Sequence, residues 1–211
     1  MGKLLNVGCG ALAPRGWENI DASPALRAAR VPVLGRLVRL DPAHISPHAH
    51  YRDIVAGPPL PAHTYDLIFA SHVLEHLSLA DARTALKRIA LALKPGGLFR
   101  VIVPDLDEYV MGYLRGKGDA ESTMVFIRGM GMGVERTRRG MRARLREALS
   151  NARHQWMWNE KSLREELAVH FSGHITRRQG HTDTGDYRFL AVEQEKRHMK
   201  ALCLEVGHAP G

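Results

Sequence analysis

The chain carries two glycines and an aspartate whose types and spacing suit the binding of a nucleoside. Gly8 and Gly10 follow the apolar run at residues 4–7, and Asp21 ends the next short apolar segment. Glycine lets the backbone approach a ligand closely where a buried strand ends. A carboxylate at the end of the neighbouring strand can accept hydrogen bonds from ribose hydroxyls. Because Gly16 does not complete the G-x-G-x-x-G spacing of pyrophosphate-binding loops, the predicted ligand is a nucleoside without a pyrophosphate.

Two residues that follow predicted strands could take part in proton transfer. His72 follows the strand predicted at residues 65–70, and Asp105 follows the strand predicted at residues 98–103. Histidine takes up and releases a proton near neutral pH, so His72 could deprotonate a hydroxyl group. It could instead hydrogen-bond a ligand or cap a helix. Asp105 could face a bound substrate, or it could cap a helix that begins before Tyr109.

The histidines show no recognised metal-binding pattern. Glu75 and His76 lie three and four positions after His72, on one face if a helix begins there. Their order reverses the His-Glu-x-x-His pattern of zinc proteases. We therefore predict no metal ligand here, and expect Glu75 and His76 to pack and hydrogen-bond beneath the sheet edge. The other scattered histidines give no convincing ligand set either: His170, His174 and His181.

Strands and helices alternate along the sequence, which predicts an α/β fold with a doubly wound, mainly parallel sheet. Apolar runs predict strands at residues 4–7, 17–21, 49–54, 65–70 and 98–103, and a later pair at 185–193 and 200–207. A helix is predicted after Ser78, which forms a capping box with Asp81, and Pro95 and Gly96 end it. An interrupted helix is predicted at residues 25–40.

The segment between the glycine pair and the second strand is too short for a helix. Residues 11–16 separate the two, whereas a crossover between parallel strands needs about a dozen residues or more. Pro14 and Gly16 also favour a loop. The first helix of the fold is therefore predicted to be shortened or absent.

Three segments resemble class I (Rossmann-like) S-adenosylmethionine-dependent methyltransferases. They are LLNVGCG at residues 4–10, DLIFASHVLEHL at residues 66–77 and LKPGG at residues 93–97. GWENID at residues 16–21 and HQWMW at residues 154–158 are similar to a compact branch of this family, whose predicted methyltransferases are found with polysaccharide-biosynthesis genes. The resemblance implies S-adenosylmethionine as the methyl donor and S-adenosylhomocysteine as the product.

The resemblance also implies which residues bind the donor. Asp53 stands where family members place an acid near the adenine, and Ile54 could pack against the ring, although Asp53 could also cap a turn. The whole set of predicted donor contacts is Gly8, Cys9, Gly10, Asp21, Asp53, Ile54 and Ser71. His72 and Asp105 are the catalytic candidates. Aromatic and polar residues of the late motif could line an acceptor pocket or belong to the core: His154, Trp156 and Trp158.

Length and charge favour one domain with an acidic partner. The 211 residues, of which 45% are hydrophobic, suit a single methyltransferase domain over residues 1–211. Residues 107–160 are predicted to form an inserted helical segment over the acceptor side, with arginines crowded at residues 136–146. The net charge of +8 favours an anionic glycan or small molecule, while nucleic acid is disfavoured by the 6% aromatic content. The arginines could equally form a solvated helix face.

The remaining composition indicates a cytoplasmic protein. No run of about 18 apolar residues is present, so no transmembrane helix is predicted, and no signal peptide precedes the first strand. Cys9 and Cys203 are expected to be reduced, buried thiols.

Three functions are compatible with these patterns. The favoured one is a methyltransferase acting on an oxygen of a glycan or other anionic small molecule. The second is a catalytically inactive module that binds the cofactor or, through its basic surface, a nucleic acid or an anionic surface. A nicotinamide oxidoreductase is disfavoured because the pyrophosphate loop is absent. The oligomeric state is not predicted.

Overall fold

The computed structural model of the protein describes residues 2–23, 26, 46–133 and 153–208. Apart from Leu26, the helix predicted at residues 25–40 lies outside the described residues, as do the arginines at residues 136–146. None of the helices in the described ranges is long and apolar enough to cross a membrane.

A mixed sheet forms the centre of the fold. Its strands are β1 (Lys3–Val7), β2 (Glu18–Asp21), β3 (Ala49–Tyr51), β4 (Tyr65–Ser71), β5 (Leu93–Pro104), β6 (Ile175–Arg178) and β7 (Ala201–Gly207). Their order across the sheet is β3-β2-β1-β4-β5-β7-β6. The first five strands run parallel, and β7 lies antiparallel to both β5 and β6. The predicted α/β class with a mainly parallel sheet is therefore confirmed.

Helices follow the strands as the sequence pattern predicts. They are α1 (Leu79–Ala92), α2 (Leu106–Arg115), α3 (Ala120–Gly129) and α4 (Glu160–His170), with short 3-10 helices at Leu74–His76, Tyr187–Ala191 and Glu195–His198. The Ser78 side chain accepts a hydrogen bond from the Asp81 N–H, which confirms the predicted start of α1. The helix ends at Ala92 and β5 begins directly at Leu93, so the turn predicted at residues 93–97 is part of the strand. Gly96, with φ of 73°, lies where the pairing of β4 with β5 is irregular.

Alternate residues of the strands pack into two apolar layers, one on each face of the sheet. Ile68 of β4 belongs to the larger layer, which includes Leu86 of α1 and Leu163 of α4. The neighbouring Phe69 packs on the opposite face with Trp17 and other residues. This burial on both faces explains why the β4 sequence is almost continuously apolar.

The strand predicted at residues 185–193 is wrong. That segment forms the 3-10 helix Tyr187–Ala191, and the edge strand that pairs with β7 is β6, at Ile175–Arg178. The apolar pattern has a different cause, because Phe189 and Val192 are buried against the sheet face that carries Phe69. Three predicted strands are also shorter in the structure, since β2 begins at Glu18, β3 ends at Tyr51 and β7 begins at Ala201.

A fully buried arginine joins β5 to the segment that precedes β7. Arg100 Nη2 lies 3.0 Å from Glu193 Oε1, and Arg100 Nη1 lies 2.5 Å from Glu205 Oε1. The guanidinium also donates to the carbonyl oxygens of Asp183 and Gly180. Since a buried charge is tolerated only when it is paired and hydrogen-bonded, this network fixes the segment on the sheet.

Replacing Arg100 should therefore destabilise the fold strongly. Arg100→Met leaves the buried Glu193 and Glu205 carboxylates without their shared cation, and we expect a loss of about 3–5 kcal/mol in the free energy of unfolding. Urea denaturation followed by circular dichroism measures this loss. Arg83→Met is the matched control, because Arg83 pairs with Glu166 at the exposed surface. Equal effects of the two substitutions would contradict the assigned role of Arg100.

Candidate functional site

The connection between β1 and β2 is a loop at residues 8–17 that contains no helix, as the sequence predicts. The N–H groups of Gly8 and Cys9 donate to the Ile20 carbonyl, at 2.8 and 3.2 Å. These bonds fold the start of the loop back onto β2. The carboxyl ends of β1 and β2 therefore meet at one edge of the sheet.

Two buried asparagines hold the rest of this loop in place. Asn6 Nδ2 donates to Asn19 Oδ1 at 3.1 Å and to the Leu12 carbonyl at 2.9 Å. Asn19 Nδ2 donates to the Pro14 and Trp17 carbonyls, at 3.0 and 2.9 Å. Side-chain amides thus satisfy loop carbonyls that have no helix in which to pair.

Glycine is favoured at positions 8 and 10 for different structural reasons. Gly8 has φ of 66°, and a Cβ there would collide with the Val73 side chain, so the loop packs directly on the segment after β4. Gly10 has φ of 54°, but a Cβ there would meet no atom within 4 Å. Gly10 therefore borders open space, and its backbone angle alone favours glycine.

Asp21, at the end of β2, binds the glycine loop through its carboxylate. Its Oδ2 accepts from the Gly10 N–H at 2.9 Å, and its Oδ1 accepts from the Ser23 N–H at 2.6 Å. Each carboxylate oxygen can accept more than one hydrogen bond. Asp21 can therefore orient the loop and still receive ligand hydroxyls.

Asp53 caps a turn beside Ile54, which is the alternative that the sequence left open. Its Oδ1 accepts from the N–H groups of Val55 and Ala56, at 2.7 and 2.9 Å. Arg88 of α1 supports the same turn by donating to the Ile54 carbonyl at 3.1 Å. The Ile54 side chain is buried in the core yet borders the cavity described next.

A cavity of about 710 Å³ lies at the carboxyl edge of the first strands. It brings together five of the predicted site residues, namely Gly8, Asp21, Asp53, Ile54 and His72. Residues that the sequence did not assign to the donor also line it, among them Ser23, Arg52, Val73 and His76. Cys9, Gly10, Ser71 and Asp105 do not line this cavity.

His72 occupies a strained position at the cavity wall. Its φ is 55°, and its N–H donates to the Ile102 carbonyl at 2.9 Å. Its Nδ1 lies 2.9 Å from Glu75 Oε1, and its Nε2 lies 3.2 Å from the Arg197 carbonyl oxygen. Both oxygens are acceptors, whereas a neutral imidazole carries one N–H, so a neutral His72 donates to one of them and keeps its other ring nitrogen without a proton.

Asp105 forms the N-cap of α2, the second alternative from the sequence. Its Oδ1 accepts from the Asp107 N–H at 3.0 Å, and its Oδ2 lies 3.6 Å from Arg177 Nη2. Burial raises the pKa of this carboxyl group.

Three predicted site residues have little or no access to the cavity. The Cys9 side chain packs in a small apolar cluster with Ala13 and Ala49. Ser71 is buried, and its hydroxyl has no hydrogen-bond partner within the described part of the chain. Trp158 is fully buried in the main core, as the alternative interpretation of the late motif predicts, whereas Trp156 is exposed.

A family model described as a methyltransferase domain matches residues 2–169. The chain belongs to this methyltransferase family. No curated protein matches the sequence.

Solved structures share the Rossmann-like fold of this methyltransferase domain. The YcgJ protein of Bacillus subtilis has a TM-score of 0.51 and 14% identity, over 100% of this chain and 93% of that chain. A SAM-dependent methyltransferase of Thermotoga maritima, a possible histamine N-methyltransferase, has a TM-score of 0.52 and 14% identity, over 98% and 82% of the two chains. The CMeT domain of the citrinin polyketide synthase has a TM-score of 0.52 and 14% identity. The match covers 100% of this chain and 47% of that chain.

Some residues at the site that we did not predict have a recognisable pattern in the sequence. Asn6 and Asn19 are polar positions inside two otherwise buried strands, a pattern typical of side chains with a fixed hydrogen-bonding role. Arg52 and His76 could not be assigned to the cavity from spacing alone. They reach it because the turn at Asp53 and the 3-10 helix Leu74–His76 end at the same sheet edge.

The thiols of this methyltransferase domain should be unreactive in the folded state. Burial raises the pKa of Cys9 to about 12, and burial raises that of Cys203 to about 12 as well. At pH 8 we expect both thiols to react with Ellman's reagent only after unfolding in urea, because the thiolate is the reactive form. Cys9→Ser and Cys203→Ser assign any reacting thiol. Rapid reaction of Cys9 in the folded protein would show that its side chain faces the cavity.

Proposed function

We propose that the protein is an S-adenosylmethionine-dependent methyltransferase acting on an oxygen of an anionic glycan or another anionic small molecule. The observation that carries the proposal is the cavity at the carboxyl edge of the sheet. It combines Gly8, Asp21, Asp53 and Ile54 in a chain of the methyltransferase-domain family. This is the edge at which open α/β sheets bind nucleosides.

Each of these residues has a chemical role in holding the donor. Gly8 and Gly10 allow the backbone to approach the ligand, and Gly10 borders open space. Asp21 accepts the ribose hydroxyls while it holds the Gly10 N–H. Asp53 lies on the adenine side with Ile54 against the ring. Cys9 and Ser71 do not line the cavity and their side chains are buried; they contribute by positioning the lining residues Gly8 and His72, which are next to them in the chain.

The reaction mainly requires that the acceptor oxygen be aligned with the methyl carbon of the donor. The bond between the donor sulfur and its methyl carbon breaks, the electron pair stays on sulfur, and the acceptor oxygen forms a bond to the methyl carbon. The products are S-adenosylhomocysteine, the methylated acceptor and the proton lost by the acceptor. Proximity and orientation can supply on the order of 7–11 kcal/mol of the barrier. His72 borders the cavity and remains the first candidate to receive the proton; Asp105 is the second.

The acceptor side belongs to residues 107–160, within a single domain that spans residues 1–211. The net charge of +8 and the arginines at residues 136–146 support an anionic acceptor. The similarity of the late HQWMW motif to methyltransferases found with polysaccharide-biosynthesis genes supports a glycan. A cytoplasmic location is supported by two free, buried cysteines.

Asp21→Ala should weaken donor binding without unfolding the protein. Hydrogen bonds to charged groups contribute about 1.5–3 kcal/mol, so we expect roughly 10- to 150-fold weaker binding of both S-adenosylmethionine and S-adenosylhomocysteine. Calorimetric titration measures both affinities, with thermal unfolding as a check. Asp119→Ala is the control, because Asp119 caps α3 and does not line the cavity.

Three outcomes would contradict this donor site. Unchanged donor affinity in Asp21→Ala would exclude the ribose role of Asp21. No binding of either nucleoside by the folded wild-type protein would favour the inactive basic module. Binding of a nicotinamide dinucleotide instead would favour the oxidoreductase.

Removing three arginines should affect the acceptor and not the donor. We expect Arg138→Gln, Arg139→Gln and Arg142→Gln together to raise KM for an anionic acceptor and to reduce the salt dependence of that KM. The reason is that positive charges near the acceptor are lost. Release of S-adenosylhomocysteine from a panel of anionic glycans measures this. The control removes three exposed lysines: Lys87, Lys161 and Lys196. Equal effects in the two variants would show that the arginines form only a solvated face.

A further inference from the structure

His154, which is distant in sequence, is fixed beside Glu75 and His76 by hydrogen bonds from the two residues that follow it. The N–H groups of Gln155 and Trp156 donate to the Glu75 carbonyl, at 2.7 and 3.3 Å. Gln155 Nε2 donates to the His76 carbonyl at 2.7 Å. These three bonds attach the segment around His154 to the 3-10 helix Leu74–His76, and the rings of His76 and His154 lie 5.1 Å apart.

Two buried polar atoms in this cluster have no hydrogen-bond partner among the described residues. Glu75 is fully buried; its Oε1 contacts His72 Nδ1 at 2.9 Å, but its Oε2 is unpartnered. His154 Nδ1 is likewise buried and unpartnered. Leaving such atoms without a partner costs free energy, and a buried carboxylate oxygen is especially costly. The pair of atoms therefore indicates a ligand between them.

We infer that Glu75, His76 and His154 bind one divalent transition-metal ion of the zinc class. The three ligand atoms, one from each side chain, all lie within 4.8 Å of one another. Two imidazoles and one carboxylate form a ligand set that zinc accepts, with a further position open. Zinc ligands lie about 2.0–2.2 Å from the metal, so their atoms are about 3.3 Å apart in a tetrahedral site. Because the atoms lie within 4.8 Å of one another, the side chains would close by up to about 1.5 Å around the ion.

The hydrogen bonds around the cluster are those that orient metal ligands. His76 Nδ1 lies 3.3 Å from the Arg153 carbonyl oxygen, which leaves His76 Nε2 available for the ion. His72 holds Glu75 through Oε1 and leaves Oε2 available.

The site borders the cavity at the carboxyl edge. His76 lines that cavity, so an open position on the ion would face it. If the proposed methyl transfer is correct, this position would bind the acceptor oxygen and lower its pKa, which favours attack on the methyl carbon. That consequence rests on the proposed function, whereas metal binding itself does not.

Zinc binding to the whole, metal-stripped protein, purified without a histidine tag, tests the inference. We expect one Zn²⁺ per chain, measured by competition with a chromophoric chelator and by elemental analysis. His154→Gln should weaken binding by more than the roughly 10- to 100-fold that loss of a supporting hydrogen bond costs. His174→Gln is the matched control, because His174 is exposed and outside the cluster. Co²⁺ should give the absorption of a tetrahedral ion in the wild type and in the control, and lose it in His154→Gln.

Two results would overturn the inference: no stoichiometric Zn²⁺ in the folded wild type, or equal affinity in wild type and His154→Gln. His76→Asn provides a second variant if His154→Gln does not fold. Calorimetric titration of the metal-free protein with S-adenosylmethionine separates this inference from the proposed function. Donor binding without Zn²⁺ binding would overturn only the metal site, and Zn²⁺ binding without donor binding would overturn only the methyltransferase proposal.

Discussion

The short connection between β1 and β2 is the constraint on which the candidate site depends. Two adjacent parallel strands are joined by the loop at residues 8–17, without the crossover helix that normally fills this space. The Asn6–Asn19 amide pair compensates by satisfying loop carbonyls from inside the sheet. Asp21 then fixes the Gly10 N–H, so the backbone at the start of the loop is held by side chains of the two strands that it connects.

Much of the fold could be predicted because its signals are local. The apolar runs, the cap at Ser78 and the loop after Gly10 depend on residues close in sequence, and the structure has them as predicted. The segment around Phe189 was mispredicted because its apolar residues pack on the sheet face and do not pair in it. Burial alone does not distinguish these two arrangements in a sequence.

The position of the candidate site could be predicted from the sequence, but the contacts of its residues could not. The strand ends placed Gly8 and Asp21 at one sheet edge, and the resemblance to methyltransferases added Asp53. The structure brings all three to one cavity. The contacts of His72 could not be predicted, because the carbonyl of Arg197 lies 125 residues away in the chain. The same reason hides the cluster of Glu75, His76 and His154. In the sequence, Glu75 and His76 belong only to a reversed zinc-protease pattern. His154 lies beside them only in the folded structure.

The pairing of β7 also has a consequence for the order of folding. Pro104 pairs with Ala201 and Leu98 with Gly207, so this ladder closes a loop of about one hundred residues, whereas β1 pairs with β2 across about 13 residues and with β4 across about 63. Contacts of such separation form slowly. Until β7 inserts, Arg100 lacks Glu205, and the segment that supplies the Arg197 carbonyl is not held beside His72. We therefore expect the sheet edge at Asp21 to form in a partly folded chain, and the His72 wall of the cavity to be completed last.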